Sequence, residues 1–154
     1  MGKKLVINGK AELASYVGKE LATSEWMTLK FEEIVKFADA TGDHQWIHVD
    51  RERAKKESPF GAPIAHGYYS VARIAGIFME MVEFKGFAMA INYGLNKVRF
   101  PNPLKENARY RMKAELATVT DVPNGIETVF KMTTEIEGEP KPAMVAEVVF
   151  RYFG

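Results

Sequence analysis

Residues 67 to 82, GYYSVARIAGIFMEMV, are apolar on nearly every face of a helix, and no other stretch restricts the fold as much. Such a helix has no polar stripe to offer water, so it has to be enclosed. The chain that follows supplies the cover. From Ala108 to Leu116 it alternates, with Arg109, Arg111, Lys113 and Glu115 on one side and Ala108, Tyr110, Met112, Ala114 and Leu116 on the other. Ile126 to Ile136 alternates as well, with Phe130 and Met132 on its inner side. A period of two marks half-buried antiparallel strands. The intervening DVPNG, with its Asn124-Gly125, is a hairpin signal. Residues 87 to 99 and 143 to 153 read as further strands. The simplest packing is an α+β architecture, a curved antiparallel meander wrapped around the buried helix. Gly76 within the helix predicts close packing against another backbone. Met79, Met81 and Met89 are expected to fill core space. A lone sheet of this size leaves an edge and an apolar face exposed, which predicts a stable dimer.

With 154 residues the chain is the size of one domain, expected to span 1–154, and is long enough to bury a substantial core. A net charge of +1 gives no basic or acidic excess that would point to nucleic acid or a membrane surface. The absence of cysteine excludes disulfides, thiolate metal sites and a cysteine nucleophile, and fits a reducing, cytoplasmic setting. Asn8 interrupts the short apolar run Leu5 to Ile7, which is too short for a signal-peptide core. Arg73 and Glu80 break the longest apolar region, so no membrane span is expected. There is no internal repeat and no linker.

The first half reads as helical. Phe31, Ile34, Val35 and Ala38 share one helix face; Thr28 could cap the start and Gly42 could stop it in a left-handed turn. Asp50 could cap a short helix, RERAKKES, which Pro59 closes. Between these helices lies TGDHQWIH, residues 41 to 48. In a continuous helix Asp43 and His48 would point roughly 140° apart, at about 100° per residue. A break at Gly42 lets them converge from a turn. Converged, they form an acid/base pair that can take a proton from water and deliver one to carbon. The plain alternative is that Asp43 caps a turn and His48 packs against Trp46.

Gly67 opens the enclosed helix after the loop PFGAPIAHG. A helix N-terminus presents unpaired N–H groups, and a glycine there admits a ligand oxygen close to the backbone. That arrangement can hold a carbonyl oxygen as it gains negative charge. The alternative is that Gly67 only turns the chain. An activated water, a proton donor and an oxyanion site together describe addition of water across a double bond conjugated to a carbonyl.

FADATGDHQWIHVD followed by SPFGAPIAHGYYSVA resembles the MaoC-like dehydratases, which include the (R)-specific enoyl-CoA hydratases. The family pattern is an aromatic residue, Gly-Asp, a variable residue, Asn-Pro, an aliphatic residue and His, then Pro-Ile-x-His-Gly at the start of a buried helix. Gly42, Asp43, Ile47, His48, Pro63, Ile64, His66 and Gly67 fit it, and INYGLNKVRFPNPL resembles the strand that leads to the family's Pro-containing turn. The similarity covers about residues 25 to 153. Gln45 and Trp46 replace the usual Asn-Pro, a version similar to the branch related to nodulation protein N.

The resemblance implies a hot-dog fold with the long helix as sausage and the sheet as bun. It implies dimers or higher assemblies with the acyl-thioester site near the subunit interface. Asp43 and His48 would hold the water and the Gly67 N–H would polarise the thioester carbonyl. Water would add at C3 of a trans-2-enoyl-CoA and a proton at C2, giving the (R)-3-hydroxyacyl-CoA. Neither a metal nor a cofactor is needed, and the partners expected are the acyl-CoA thioester and a second copy of the chain. The rivals are a hot-dog thioesterase, which the Asp43/His48 loop argues against because thioesterases of this fold place their carboxylate elsewhere, and a non-catalytic acyl-thioester binder, which Gln45-Trp46 keeps open. His44 is expected to be solvated and His66 to bond nearby backbone. Tyr68 and Tyr69 are expected in the core, with Ser70 beside them in the first helical turn. Lys97, Arg99, Arg109 and Arg111 are expected on the solvated face of strands, although they could meet coenzyme A phosphates.

Overall fold

A computed structural model of the chain describes residues 2–154. Its elements are β1 (Leu5–Asn8), α1 (Gly9–Ala14), β2 (Lys19–Thr23), β3 (Met27–Thr28), α2 (Phe31–Thr41), α3 (Trp46–Val49), α4 (Arg51–Glu57), α5 (Gly67–Met81), β4 (Val82–Lys85), β5 (Met89–Arg99), β6 (Arg109–Val122), β7 (Gly125–Ile136) and β8 (Met144–Phe153). The main sheet is antiparallel in the order β2-β6-β7-β8-β5, with β3 also on β6. β1 and β4 form a separate parallel pair. α5 lies on the concave side of the main sheet, and this is the hot-dog fold.

Alternation decides which face of the sheet meets α5. Tyr110, Met112, Ala114 and Leu116 of β6, and Ile126, Phe130, Met132 and Ile136 of β7, are buried. They meet Ile74, Ile77, Phe78 and Met81 of α5 in one core. Phe78 packs edge-on to Phe130 at 4.9 Å and stacks over Phe150 at 6.0 Å. Burying side chains of this size contributes about 1.5–3 kcal/mol each. The β6–β7 hairpin turns at Pro123-Asn124, where Asn124 has φ 65°. Gly125 already pairs in the ladder, and a Cβ there would fall 2.0 Å from the Tyr152 carbonyl oxygen.

Several expectations change. The first half is not only helical, because β1, β2 and β3 lie in it. Thr28 does not cap α2; it pairs with Arg109 in the sheet, and Lys30 takes the cap position. The strands are not a simple meander: β5 crosses to the far edge of β8. α5 is enclosed on one side only, leaving Tyr68 and Met79 exposed, and Met89 is exposed as well, so only Met81 of the three named methionines fills the core. Among the described residues, a Cβ at Gly76 would meet no backbone of another element within 4 Å; the nearest atom would be in the Arg73 side chain, at 3.7 Å. The main sheet covers one side of α5, which leaves Tyr68 and Met79 on the open side. No helix among the described residues is long and apolar enough to cross a membrane.

Candidate active site

α2 ends where the sequence indicates. Gly42 takes the left-handed conformation (φ 80°) and donates its N–H to Ala38 O at 2.8 Å. Residues 42 to 45 leave helical geometry before α3 begins at Trp46. In this turn the Asp43 N–H donates to Thr41 Oγ1 at 3.3 Å, and Asp43 Oδ1 accepts from the Gln45 N–H at 3.3 Å. Asp43 therefore does cap a turn, but with one oxygen only. Its side chain is 54% exposed, with Oδ2 3.9 Å from His66 Nε2.

The plain alternative fails for His48. It is buried, and its ring stacks on His66, with centroids 3.8 Å apart and planes 21° apart. Trp46 instead lies under the Arg53 guanidinium at 4.2 Å. The loop before α5 is pinned between α3 and residues 104 to 106. Ile64 N donates to Ile47 O at 3.1 Å, Ala65 N to Leu104 O at 2.8 Å and Glu106 N to Pro63 O at 2.8 Å. That pinning aims the Ile64 carbonyl at His48 Nδ1, 2.6 Å away. A carbonyl only accepts, so Nδ1 carries the proton and Nε2 of the neutral ring carries a lone pair. Burial pulls His48 below its usual 6.5, the Ile64 bond and Asp43 oppose this, and His66 adds to it. The outcome is an imidazole that remains a base near neutrality.

His66 caps α5 without a side-chain bond to it, and it does bond backbone: Nε2 donates to the Asp43 carbonyl at 2.9 Å. Its Nδ1 is sealed from solvent with no partner among the described residues. Sequence reasoning missed the His48–His66 stack, because nothing local relates residues eighteen apart across a loop. His44 is solvated and pairs with Asp39 at 2.9 Å.

Asp43, His48 and His66 each place a potential ligand atom within 4.8 Å of the others. The donor set does not suit a metal ion. His66 Nε2 is committed as a donor to a carbonyl, and its Nδ1 is buried. The group suits hydrogen-bonded proton chemistry instead.

Gly67 is tight for a reason the sequence did not disclose. A Cβ there would fall 2.8 Å from the Phe100 ring, which also meets Tyr68 edge-on at 6.3 Å. Tyr69, unlike the exposed Tyr68, is buried and donates to Glu33 Oε2 at 2.6 Å. Burial and that bond push its phenol up, so it stays a donor. Phe37 wedges between Tyr69 and His66, at 5.7 and 5.0 Å, and joins α2 to α5. Arg109 and Arg111 pair across the sheet with Glu137 and Glu135 at 3.0 and 2.7 Å, as a solvated strand face does. The grooves between α5 and β5, of about 410 and 290 Å³, share Ala75, Asn92 and Phe150 and are not lined by Asp43, His48 or Gly67.

The chain is similar to known proteins. The MaoC like domain model matches residues 12–137. The chain is 48% identical over 143 residues to 3-hydroxyacyl-thioester dehydratase Z of Mycobacterium tuberculosis, covering 92% of this chain and 94% of that protein. It is 43% identical over 138 residues to Nodulation protein N of Rhizobium meliloti, covering 88% and 86%. The fold matches the (R)-hydratase from A. caviae involved in PHA biosynthesis, with TM-score 0.69, 19% identity and coverage of 87% of this chain and 94% of that one. The chain belongs to the MaoC-like dehydratase family and is a hydro-lyase of the hot-dog fold.

Proposed function

We propose that the chain is an (R)-specific enoyl-CoA hydratase that adds water to a trans-2-enoyl-CoA and gives the (R)-3-hydroxyacyl-CoA. The observation that carries this reading is the buried His48 ring. The Ile64 carbonyl holds the proton on Nδ1 and leaves Nε2 basic, in a ring that has one nitrogen within 4.8 Å of an Asp43 carboxylate oxygen. His48 takes a proton from water, the water oxygen bonds to C3, and the pair returns one proton to C2. The Asp43 carboxylate stabilises the imidazolium that forms in between. The Gly67 N–H, at the first turn of α5, holds the thioester oxygen while negative charge develops on it. A site that lowers this barrier lowers it in both directions, so the same residues serve the dehydration named in the mycobacterial relative.

One hot-dog domain acts per subunit, and the active form is a homodimer in the cytoplasm. Alternate residues Met89, Ile91, Tyr93 and Leu95 of β5 are exposed, and β5 is the last strand of its sheet. An unpaired apolar edge of this length is a pairing surface. A second copy laid along it would cover these side chains and the grooves between α5 and β5.

Crotonyl-CoA followed at the enoyl absorbance tests the reading. Loss of absorbance without free thiol is the expected result. Free thiol would mean a thioesterase, and binding without turnover would mean an acyl-thioester binder. A Gly67→Ala variant alone is ambiguous, since its Cβ meets Phe100. Adding Phe100→Ala removes that clash, and turnover should stay low if the Gly67 N–H faces the thioester.

A further inference from the structure

His66 has no part in the chemistry just described, yet it touches both groups that do. We propose that His66 is a positioning residue, which fixes the Asp43 turn and the His48 ring at one separation. This rests on the hydratase reading of that site.

Three features support the role. The local bonds of Asp43 itself, to Thr41 and Gln45, are both 3.3 Å. The 2.9 Å bond from His66 Nε2 is shorter, and it comes from the loop that also delivers Gly67. The opposite contact is the face of the ring, stacked on His48 at 3.8 Å. One imidazole thus sets the position of the acid against the base and of both against the start of α5. Finally, Nδ1 is buried with no donor. A buried acceptor without a donor destabilises a fold. For packing alone against Phe37 and His48, a phenyl ring would serve better. The polar ring costs stability in return for geometry, as strained groups at working sites do. A misplacement of about 1 Å at such a site can cost on the order of a hundredfold in rate.

The test is His66→Phe, which keeps the stacking ring and loses the bond to Asp43, with His66→Gln, which keeps a donor and loses the ring. Among the described residues, the titratable groups facing His48 are Asp43 from the turn after α2 and His66 from the loop before α5. In His66→Phe the melting temperature should hold or rise while kcat falls about tenfold to a hundredfold, with KM nearly unchanged. The acid limb of kcat/KM should move to higher pH, because His66 is one of the groups that lower His48. His66→Gln should recover part of kcat. A merely structural His66 would give the reverse: a changed melting temperature, with kcat per folded molecule and the acid limb both unmoved. That result overturns the proposal and leaves the hydratase reading standing. If the parent protein hydrates no crotonyl-CoA, the hydratase reading fails on its own. The His48 ring titration, followed by NMR in parent and His66→Phe, then decides: a midpoint that moves up supports positioning, and one that stays overturns it.

Discussion

The corner around Asp43 and the strand β5 break opposite rules. At the corner, two imidazoles are buried where polar groups are seldom found. On β5, Met89, Ile91, Tyr93 and Leu95 lie exposed where apolar groups are usually covered. Most of the corner is resolved inside the chain, since main-chain carbonyls of Ile64 and Asp43 each accept from a ring nitrogen, and His66 Nδ1 is the exception. The β5 edge has no such resolution, because β8 holds one side of it and, among the described residues, no strand of the sheet lies on the other. A group that satisfies itself intramolecularly can be specialised for chemistry. A group that cannot must look outside the molecule.

Substitutions at the corner should give the largest effects. Asp43→Asn keeps size and hydrogen bonding but loses the charge that stabilises the His48 imidazolium, and His48→Gln cannot titrate near neutrality. Each should lower crotonyl-CoA turnover by on the order of a hundredfold to ten-thousandfold with the fold kept. The double variant should be little worse than the poorer single one, since both losses fall on one step. Single variants near parental rate would reduce the corner to a helix stop and a turn.

At the β5 edge, Ile91→Lys with Leu95→Lys should leave the chain folded, because both side chains are already exposed. Light scattering should then return the 17.4 kDa monomer in place of a dimer. Turnover should fall with it, and full activity in a monomer would detach the site from the edge. A parent protein that scatters as a monomer would end the comparison at its second term.

Tyr69→Phe sharpens the first term. It removes the bond to Glu33 that ties α2 to α5 and should cost about 1 kcal/mol, read by denaturant unfolding. The smallest effect is on pH. His48 sits below its usual 6.5 in the fold, so the unfolded chain binds the extra proton first as pH falls. Its contribution to stability is present above 6.5 and is lost as pH drops through the folded value. His48→Gln should flatten that part of the unfolding free energy against pH between neutrality and mild acid. An unchanged slope would mean that His48 is not the group responsible.

Much of the fold was legible because it rests on periods. The alternation of 108 to 116 and 126 to 136 placed Tyr110, Met112, Phe130 and Met132 in the core, where they are. Gly42 as a helix stop and Asp50 as a cap were also local matters, and both hold; Asp50 accepts from Arg53 N at 3.0 Å. Errors came wherever a residue's environment depended on distant chain. Met79 and Tyr68 carry the same apolar signal as Met81 and Tyr69, yet the first two face out and the others in. Periodicity gives the face a side chain is on, and says nothing of whether anything covers that face.

The spacing of Asp43 and His48 about a left-handed Gly42, the identity of the buried strands and the helix start at Gly67 follow from the sequence by itself, because each depends on a few neighbouring backbone angles. The stack of His48 on His66, the aim of the Ile64 carbonyl, the Phe100 ring against Gly67 and the exposed edge of β5 were decided only by the tertiary structure. Each of these arises where separate elements meet. Local conformational preference cannot encode such distances, since they follow from how the whole set of elements packs together.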